Sequence, residues 1–576
     1  MHRQAKDNLR EFKAPFKKPH DRIEWASWTP PRHGIFPEFR LGGSWWSVAW
    51  LALPAILLGI VMLVGSTWIL DTDFGRNFIR TYPGTVHVTV TQYHGFPWWL
   101  RLSHVLNLAL MLVIIRSGIQ ILADHPRLYW NRHSTPGTEW FRFQNDVPMD
   151  RVWTAKDDAV TLPGWLGIPG GRHTIGLARW IHFSTDFFWL LNGLAFVVLL
   201  FFTDQWQRLV PRSWDIVPNA ISTAIQYSAL RMPLEDGWAR YNALQQLAYF
   251  TTVFIAAPAA VLAGLAQSPA LGNRFAPVTK YFNRQVARSV HFLILLYFLF
   301  FIAVHVAMVF VTGFKKNFNH IVLNSPADTW TGFLIAIAVL AGLGVIWAVF
   351  SPLVAGHARG VQRGGAAIIG WVKALMEWWD PRVTFTEKDI SPFFWPNGTM
   401  PASEQYRRMK AEGFKDFKLR VYGLCQVPQE IAYSDLKALK KQEQTTMHYC
   451  IQGWSGVAKW GGVPMRTILE MAKPNPEAKY VVFYSFAEGS EGGIYYDVHK
   501  MENMKHELSM LAYEMNGEAL TELHGLPLRL RCENELGFKN IKWVRAIEFV
   551  ADFRHLGAGQ GGYNEDVEFY GYRMPI

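Results

Sequence analysis

The chain has 576 residues, half of them hydrophobic and only 18% charged, with 26 Trp and 39 Phe. That balance excludes a disordered or collagen-like chain and argues for one that is partly membrane-embedded. The net charge of +11 comes without a Lys/Arg–aromatic ladder, so it reads as basic cytoplasmic loops rather than nucleic-acid binding. The three cysteines, Cys425, Cys450 and Cys532, form no CxxC pair, which argues against a disulfide scaffold or a structural zinc site.

Residues 1–44 are polar and basic, carry no long apolar run, and read as a cytoplasmic tail. Six apolar stretches follow, at about 46–70, 98–122, 178–203, 242–267, 288–312 and 329–351. Each is near the ~20 residues that cross a bilayer. Segment 353–389 reads as a linker. Residues 390–576 alternate short apolar runs with Gly, Pro and Asn turns, as in VYGLCQVPQ and VRAIEFVADF, a β-rich pattern with helices near 433–441 and 464–472. Lys and Arg number nineteen in the tail and the loops 123–177 and 269–288, against eight in the other three loops. The positive-inside rule then puts both the N-terminus and the C-terminal region inside.

Histidines inside a membrane need partners. His291 and His305 are 14 residues apart on the fifth span, on nearly one helix face and ~21 Å apart along its axis. The third span runs parallel to the fifth, so His182 shares a level with His291. The second runs antiparallel, so His104 is level with His305. Two stacked pairs, His104/His305 and His182/His291, suit two bis-histidine b haems; a His/His metal site is the alternative. Arg116, level with the His182 pair, reads equally as a haem-propionate partner or as a snorkelling interfacial arginine. His87, His94, His125, His173 and His320 read as ordinary loop or span-edge residues, with His94 a reserve ligand.

The segments RLSHVLNLALMLVIIRSG, ARWIHFSTDFFWLLNG and SVHFLILLYFLFFIAVHVAMVFVTGF resemble the di-haem cytochrome b subunits of membrane formate dehydrogenases and nickel–iron hydrogenases, over about 98–318. Spans one and six are extra. In that family the four-helix core begins at the cytoplasmic face, the reverse of what the charge count implies here.

Cys450 lies in HYCIQGWSGVAKWGGVPM, a stretch whose glycines permit close backbone approach and whose thiol suits a soft metal. Arg529, Arg531, Lys539, Lys542 and Arg545 crowd HGLPLRLRCENELGFKNIKWVRAIEF, which reads as either an anion site or a solvated strand edge. Together FKLRVYGLCQVP, HYCIQGWS, WGGVPM, LAYEMNGEAL, HGLPLRLR and GFKNIKWVRAIEF resemble the sulfite oxidase family of molybdopterin enzymes over about 390–576. The resemblance implies a mononuclear molybdenum on a pyranopterin, with Cys450 as its protein ligand. His524, Arg529 and Lys539 would anchor the cofactor, Lys539 at its phosphate. Asn397 of FFWPNG would line the pterin pocket, with Trp454 and Tyr495–Tyr496–Asp497 as wall candidates. Cys450 is followed by Ile-Gln-Gly-Trp-Ser rather than an Asn- and Arg-rich segment, which argues against sulfite. It is closer to the branch that includes protein-methionine-sulfoxide reductases.

The expectation is therefore a multi-pass protein of a bacterial inner membrane. Its fold is a membrane all-α six-helix bundle with a four-helix di-haem core, plus a C-terminal mixed α+β, β-rich molybdopterin domain. It would couple oxygen-atom transfer to electron transfer with quinone or a small redox protein, on a small-molecule or oxidised-sulfur substrate, without nucleic acid. The rival readings are a non-catalytic haem conduit whose C-terminal domain lacks cofactor, and a haem-linked transporter.

Overall fold

The structure, a computed structural model, describes residues 36–85, 95–143, 146–148, 153–168, 174–232, 238–378, 383–489 and 492–576. Most of the N-terminal tail, together with His87, His94 and His173, lies outside these residues. Six helices are long and apolar enough to cross a membrane. They are α1 (Ala52–Asp71), α2 (Trp98–Asp124), α3 (Ile175–Phe202), α4 (Ala243–Ala266), α5 (Arg284–Val311) and α6 (Thr331–Gly356). Their outward side chains, among them Leu57, Val61, Leu194, Phe300, Leu340 and Val345, are apolar and exposed. Such a surface is stable against lipid and not against water. The protein is a multi-pass membrane protein.

Helix starts follow local chemistry. Asn283 caps α5, its side-chain oxygen accepting from the amides of Gln285 and Val286 at 3.0 and 3.3 Å. Midway along α4, Thr251–Ala256 form a π-helical turn just ahead of Pro258, which has no N–H to continue the α ladder.

The end of the basic tail is structured. Strand β1 (Glu38–Leu41) pairs with β2 (Ser44–Ser47) and with β4 (Phe141–Arg142), which in turn pairs with β3 (Arg127–Leu128). This small sheet lies on the loop between α2 and α3. Segment 353–389, expected as a linker, contains a further long helix, α7 (Ala358–Trp378). It packs along α3, with Gly365 against Trp180.

The C-terminal region has two five-stranded sheets. The first runs β10 (Ile494–Lys500), β9 (Tyr480–Glu488), β14 (Val544–Val550), β5 (Lys418–Gly423), β6 (Gln429–Ala432). Only its β14–β5 pair is parallel. The second runs β12 (Glu518–Ala519), β11 (Met510–Met515), β8 (Ser455–Pro464), β7 (Gln442–Tyr449), with β13 (Arg529–Arg531) also on β11. Between the sheets Leu419, Val421, Val463, Val481, Phe483, Leu511 and Ile547 are almost completely buried.

The loop after α2 is held by a buried ion cluster. Arg127 donates to both oxygens of Asp158 at 2.9 and 2.8 Å and to Glu139 at 2.7 Å, all three side chains essentially without solvent exposure. Arg127→Ala would strand two buried carboxylates, a loss on the order of 3–5 kcal/mol. Thermal denaturation in detergent should show a clearly lowered transition, with the loop's contacts to the C-terminal region released first. An unchanged transition would mean that the cluster is not structural.

Candidate functional site

Strands β7 and β8 form a hairpin whose register ends at Tyr449 opposite Ser455, so Cys450–Trp454 is the connecting loop. It closes on itself, the Cys450 amide donating to Trp454 O at 3.1 Å and the Gly453 amide to Cys450 O at 3.2 Å. Gly453 has φ +119°, and a Cβ there would come within 3.0 Å of the Arg288 guanidinium carbon. Both facts require glycine.

The first two turns of α5 grip this loop. Arg284 Nη1 donates to Cys450 O at 2.9 Å and to Trp454 O at 3.3 Å. Gln285 Nε2 donates to Gly453 O and to Ser455 Oγ at 2.9 and 3.0 Å. Arg288 Nη2 donates to His125 O at 3.0 Å. The loop between α2 and α3 adds more: Gln452 Nε2 donates to Ala155 O, and the Ser455 amide to Ser134 Oγ.

Cys450 is 3% exposed and lies on a cavity of about 120 Å³. Asn397 Nδ2 is 3.7 Å from its sulfur, and Gln452 Oε1 3.8 Å. Burial pushes the thiol up to about 12. A metal ion would have to displace that proton, as thiolate ligation requires.

Asn397, Trp454, His524 and Arg529 all line the cavity. The Trp454 indole N–H is buried with no partner among the described residues. His524 Nε2 faces Phe394 O at 3.1 Å and its Nδ1 faces Thr521 Oγ1 at 2.7 Å. Arg529 Nη1 donates to His524 O at 3.0 Å, and its Nε is buried without a partner among the described residues. Tyr495 also lines the cavity, whereas Tyr496 and Asp497 do not.

Lys539 is elsewhere. Its ammonium is buried between Asp497 and Glu565. Burial lowers its pKa, but the two carboxylates outweigh that and hold it above the ordinary lysine value. The expected phosphate contact is thus already occupied by acids of the same chain. Lys542, three residues on, lines the cavity instead. Its ammonium donates to Asn397 O and Leu523 O and lies over the Trp543 ring. Burial first, then repulsion by Arg529, pushes Lys542 well below the ordinary value. Arg529 is pushed down likewise by burial and by Arg531. A buried and a half-buried cation side by side favour a bound anion, so the pocket fits a phosphorylated pterin.

His448, not singled out by sequence, also lines the cavity. Its Nδ1 is 2.9 Å from Arg531 Nη1. Arginine only donates, so Nδ1 accepts and the ring proton sits on Nε2. Burial and the Arg531 charge hold this imidazole neutral, well below its ordinary pKa. Its signal was adjacency to Cys450 in HYC. Four further lining residues come from the membrane region: Asp124 at the end of α2, Lys156, Ala159, and Ile175 at the start of α3. Nothing in their spacing pointed to the site.

Inside the bundle the four histidines fall at two levels. The rings of His104 and His305 have centroids 6.4 Å apart. Two imidazoles bound to one iron at roughly 2.0–2.1 Å per nitrogen leave their centres a little over 6 Å apart. Tyr249 OH, one residue before the end of α4's first helical segment, is 3.4 Å from His305 Nδ1. At the other level His182 and His291 are close enough to interact electrostatically. His291 Nδ1 donates to Ala260 O at 3.1 Å, which leaves Nε2 as the metal-binding nitrogen. His182 Nδ1 meets Ser117 Oγ at 3.0 Å, while its Nε2 is 3.5 Å from Asp186. Gly118 gives the His182 ring its room, since a Cβ there would be 3.1 Å from Cε1. The residues therefore fit b haem.

Arg116 lies at the seam between α2 and α6. It donates to Gly167 O and Ser351 Oγ and lies over the Trp347 ring, tying α2 to α6.

Residues 95–324 match the family described as prokaryotic cytochrome b561. Residues 406–555 match the oxidoreductase molybdopterin binding domain. The chain is 34% identical over 150 residues to a putative protein-methionine-sulfoxide reductase subunit YedZ1 of Azospira oryzae, covering 26% of this chain and 53% of that one. It is 34% identical over 142 residues to the uncharacterized oxidoreductase YuiH of Bacillus subtilis, covering 24% and 69%. It is 31% identical over 144 residues to the protein-methionine-sulfoxide reductase catalytic subunit MsrP of Xanthomonas campestris, covering 23% and 45%. The chain spans about half the length of the first and third of these. It belongs to the molybdopterin-binding oxidoreductases of the sulfite oxidase type, here fused behind a membrane cytochrome b561 domain.

Proposed function

We propose that this membrane oxidoreductase removes an oxygen atom from an oxidised-sulfur substrate with electrons drawn from quinol through two b haems. The observation that supports this most directly is the hydrogen bond from Arg284 to the carbonyl of Cys450. Arg284 opens the helix that carries His291 two turns further on, about 10 Å along the axis. When bound, the molybdenum cofactor supplies two-electron oxygen-atom exchange, and each haem supplies one-electron transfer.

The overall change balances as sulfoxide plus quinol giving sulfide, water and quinone. The S–O bond breaks, sulfur is reduced, and two protons leave with the oxygen as water. Within this scheme Cys450 holds the metal, and Asn397 orients its sulfur. Arg529, Lys542 and His524 hold the pterin and its phosphate. His182 and His291 hold the haem on the molybdenum side, and His104 and His305 the far one. Arg284, Gln285 and Arg288 fix the distance between the two centres.

His291→Ala and His305→Ala should each remove a different haem, distinguishable by midpoint potential in redox difference spectra. If both variants retain two haems, the ligand pairs are misassigned.

Lys542→Ala should lower molybdenum and pterin content by about tenfold, since one charge-assisted contact of ~1.5 kcal/mol is lost. Cys450→Ser should abolish turnover with both haem spectra intact. Lys539→Met instead strands two buried carboxylates and should lower the unfolding temperature of the C-terminal region. Equal cofactor loss without destabilisation in Lys539→Met would return the phosphate to that residue.

The charge count supports a cytoplasmic C-terminal region. Glu477, exposed in the loop before β9, provides the test. In a Cys425→Ser background, Glu477→Cys should resist a membrane-impermeant maleimide in intact cells and label after lysis. Labelling of intact cells would reverse the orientation and leave the ligand pairs untouched.

A further inference from the structure

The membrane region shares in lining the cavity that the C-terminal region opens beside Cys450. Asp124, Lys156, Ala159 and Ile175 form one wall of the cavity that holds Cys450. The docking that brings them there is extensive. Ala155 N donates to Pro396 O at 3.0 Å, and Gln452 Nε2 donates to Ala155 O. Trp395 Nε1 donates to Ser134 O at 2.7 Å, and Trp180 Nε1 to Phe569 O at 3.0 Å. Ile175, Ile451 and Tyr570 pack as one buried cluster.

Of the cavity's lining residues Ala159, Ile175, Ile451, Asn564 and Tyr570 are all buried, and Ile451 directly follows Cys450. Exposed lining residues, Thr399 and Glu488, belong to the Asn397 loop and the end of β9. A polypeptide that offers a side chain to Cys450 must bring its backbone and flanking residues up to the thiol. The docked wall occupies that space.

The wall also has a chemical character. Asp124 Oδ2 is buried with no hydrogen-bond partner among the described residues. Beside it on the cavity wall, Lys156 pairs with Glu568 at 3.1 Å and has further N–H donors to give. One unmatched acceptor and one ammonium face the same space, a pattern that suits a small molecule carrying both an ammonium and a carboxylate.

We infer that the cytochrome domain roofs the pocket and confines its substrate to a free amino-acid sulfoxide, with Asp124 receiving the ammonium and Lys156 the carboxylate. This deepens the reductase reading above and rests on it. It sets the chain apart from relatives named for reduction of methionine sulfoxide in proteins.

The experiment follows reoxidation of the quinol-reduced haems in the holoenzyme. Free methionine sulfoxide should be at least a hundredfold more effective, per sulfoxide, than an oxidised unfolded polypeptide. Asp124→Asn should raise KM for free methionine sulfoxide about tenfold and leave KM for dimethyl sulfoxide unchanged, because only the former has an ammonium to lose. Equal rates with the polypeptide overturn the roof, and equal KM effects on the two small sulfoxides overturn the role of Asp124. If no sulfoxide reoxidises the haems, the reductase reading fails and the roof is decided separately. For that, cofactor-free Cys425→Ser/Cys532→Ala protein is treated with N-ethylmaleimide and with a polymer-linked maleimide at alkaline pH. Cys450 should react with the small reagent and resist the large one until the protein is denatured. Equal labelling by both overturns the roof whatever the substrate.

Discussion

The structure depends on how two arginines at the start of a membrane helix are satisfied. Arg284 and Arg288 are both buried, and the N-terminal end of α5 is the wrong end of a helix dipole for a cation. They are stabilised there by backbone carbonyls that come from outside the helix: Cys450, Trp454 and Gly453 from the hairpin loop, and His125 and Arg127 from the loop after α2. Two separate pieces of chain are thereby locked to one helical turn. The same turn leads, within two more, to His291. The requirement that a buried guanidinium find acceptors thus sets where the thiol stands relative to the histidines, and Gly453 is the residue whose lack of a side chain lets Arg288 reach in.

Much of this was legible along the chain, and what was not shares a cause. Spans and histidine levels are periodic features, and a 14-residue interval on one helix needs no tertiary knowledge to place its two ends. The order of short motifs around Cys450 likewise pointed to the C-terminal region as the molybdopterin domain. Lys539 and Lys542 differ by three positions in one basic run, and only the fold shows that Asp497 and Glu565, distant in sequence, surround the first and leave the second facing the cavity. Arg116 has the depth of a propionate partner, and only the fold shows that the loop carbonyls of Gly164 and Gly167 and the α6 ring of Trp347 also meet it. The segment 353–389 lacked a spanning run and so looked like a connector. Its helix is amphipathic, and its polar residues Arg359 and Gln362 hold the backbone of Glu565, Asp566 and Tyr570.

Docking of the two regions is mostly made of side chains bonding to main chain: Trp180, Gln362, Trp395, Gln452 and Arg359 all end on carbonyl oxygens. Such contacts specify geometry without demanding a matched partner side chain, so composition carries no trace of them. They also leave no long tether between the centres. In a pair of separate subunits the distance between thiol and haem would be set at each encounter. Here the helix and loop hold it constant through the hydrogen bonds of Arg284.

The same docking polarises the pocket. At one end Arg529, buried, and Lys542, half-buried, have main-chain carbonyls and ring faces around them and suit an anionic cofactor. At the Cys450 end the membrane region contributes Asp124, and the C-terminal segment contributes Glu568. Two carboxylates and Lys156, which pairs with Glu568, thus line the cavity together. Positive charge near the thiol is supplied by Arg284 and Arg288, but these are turned onto carbonyls and away from the cavity lining. Those two cations are therefore spent on holding the loop to the helix that carries His291, and not on the cavity lining.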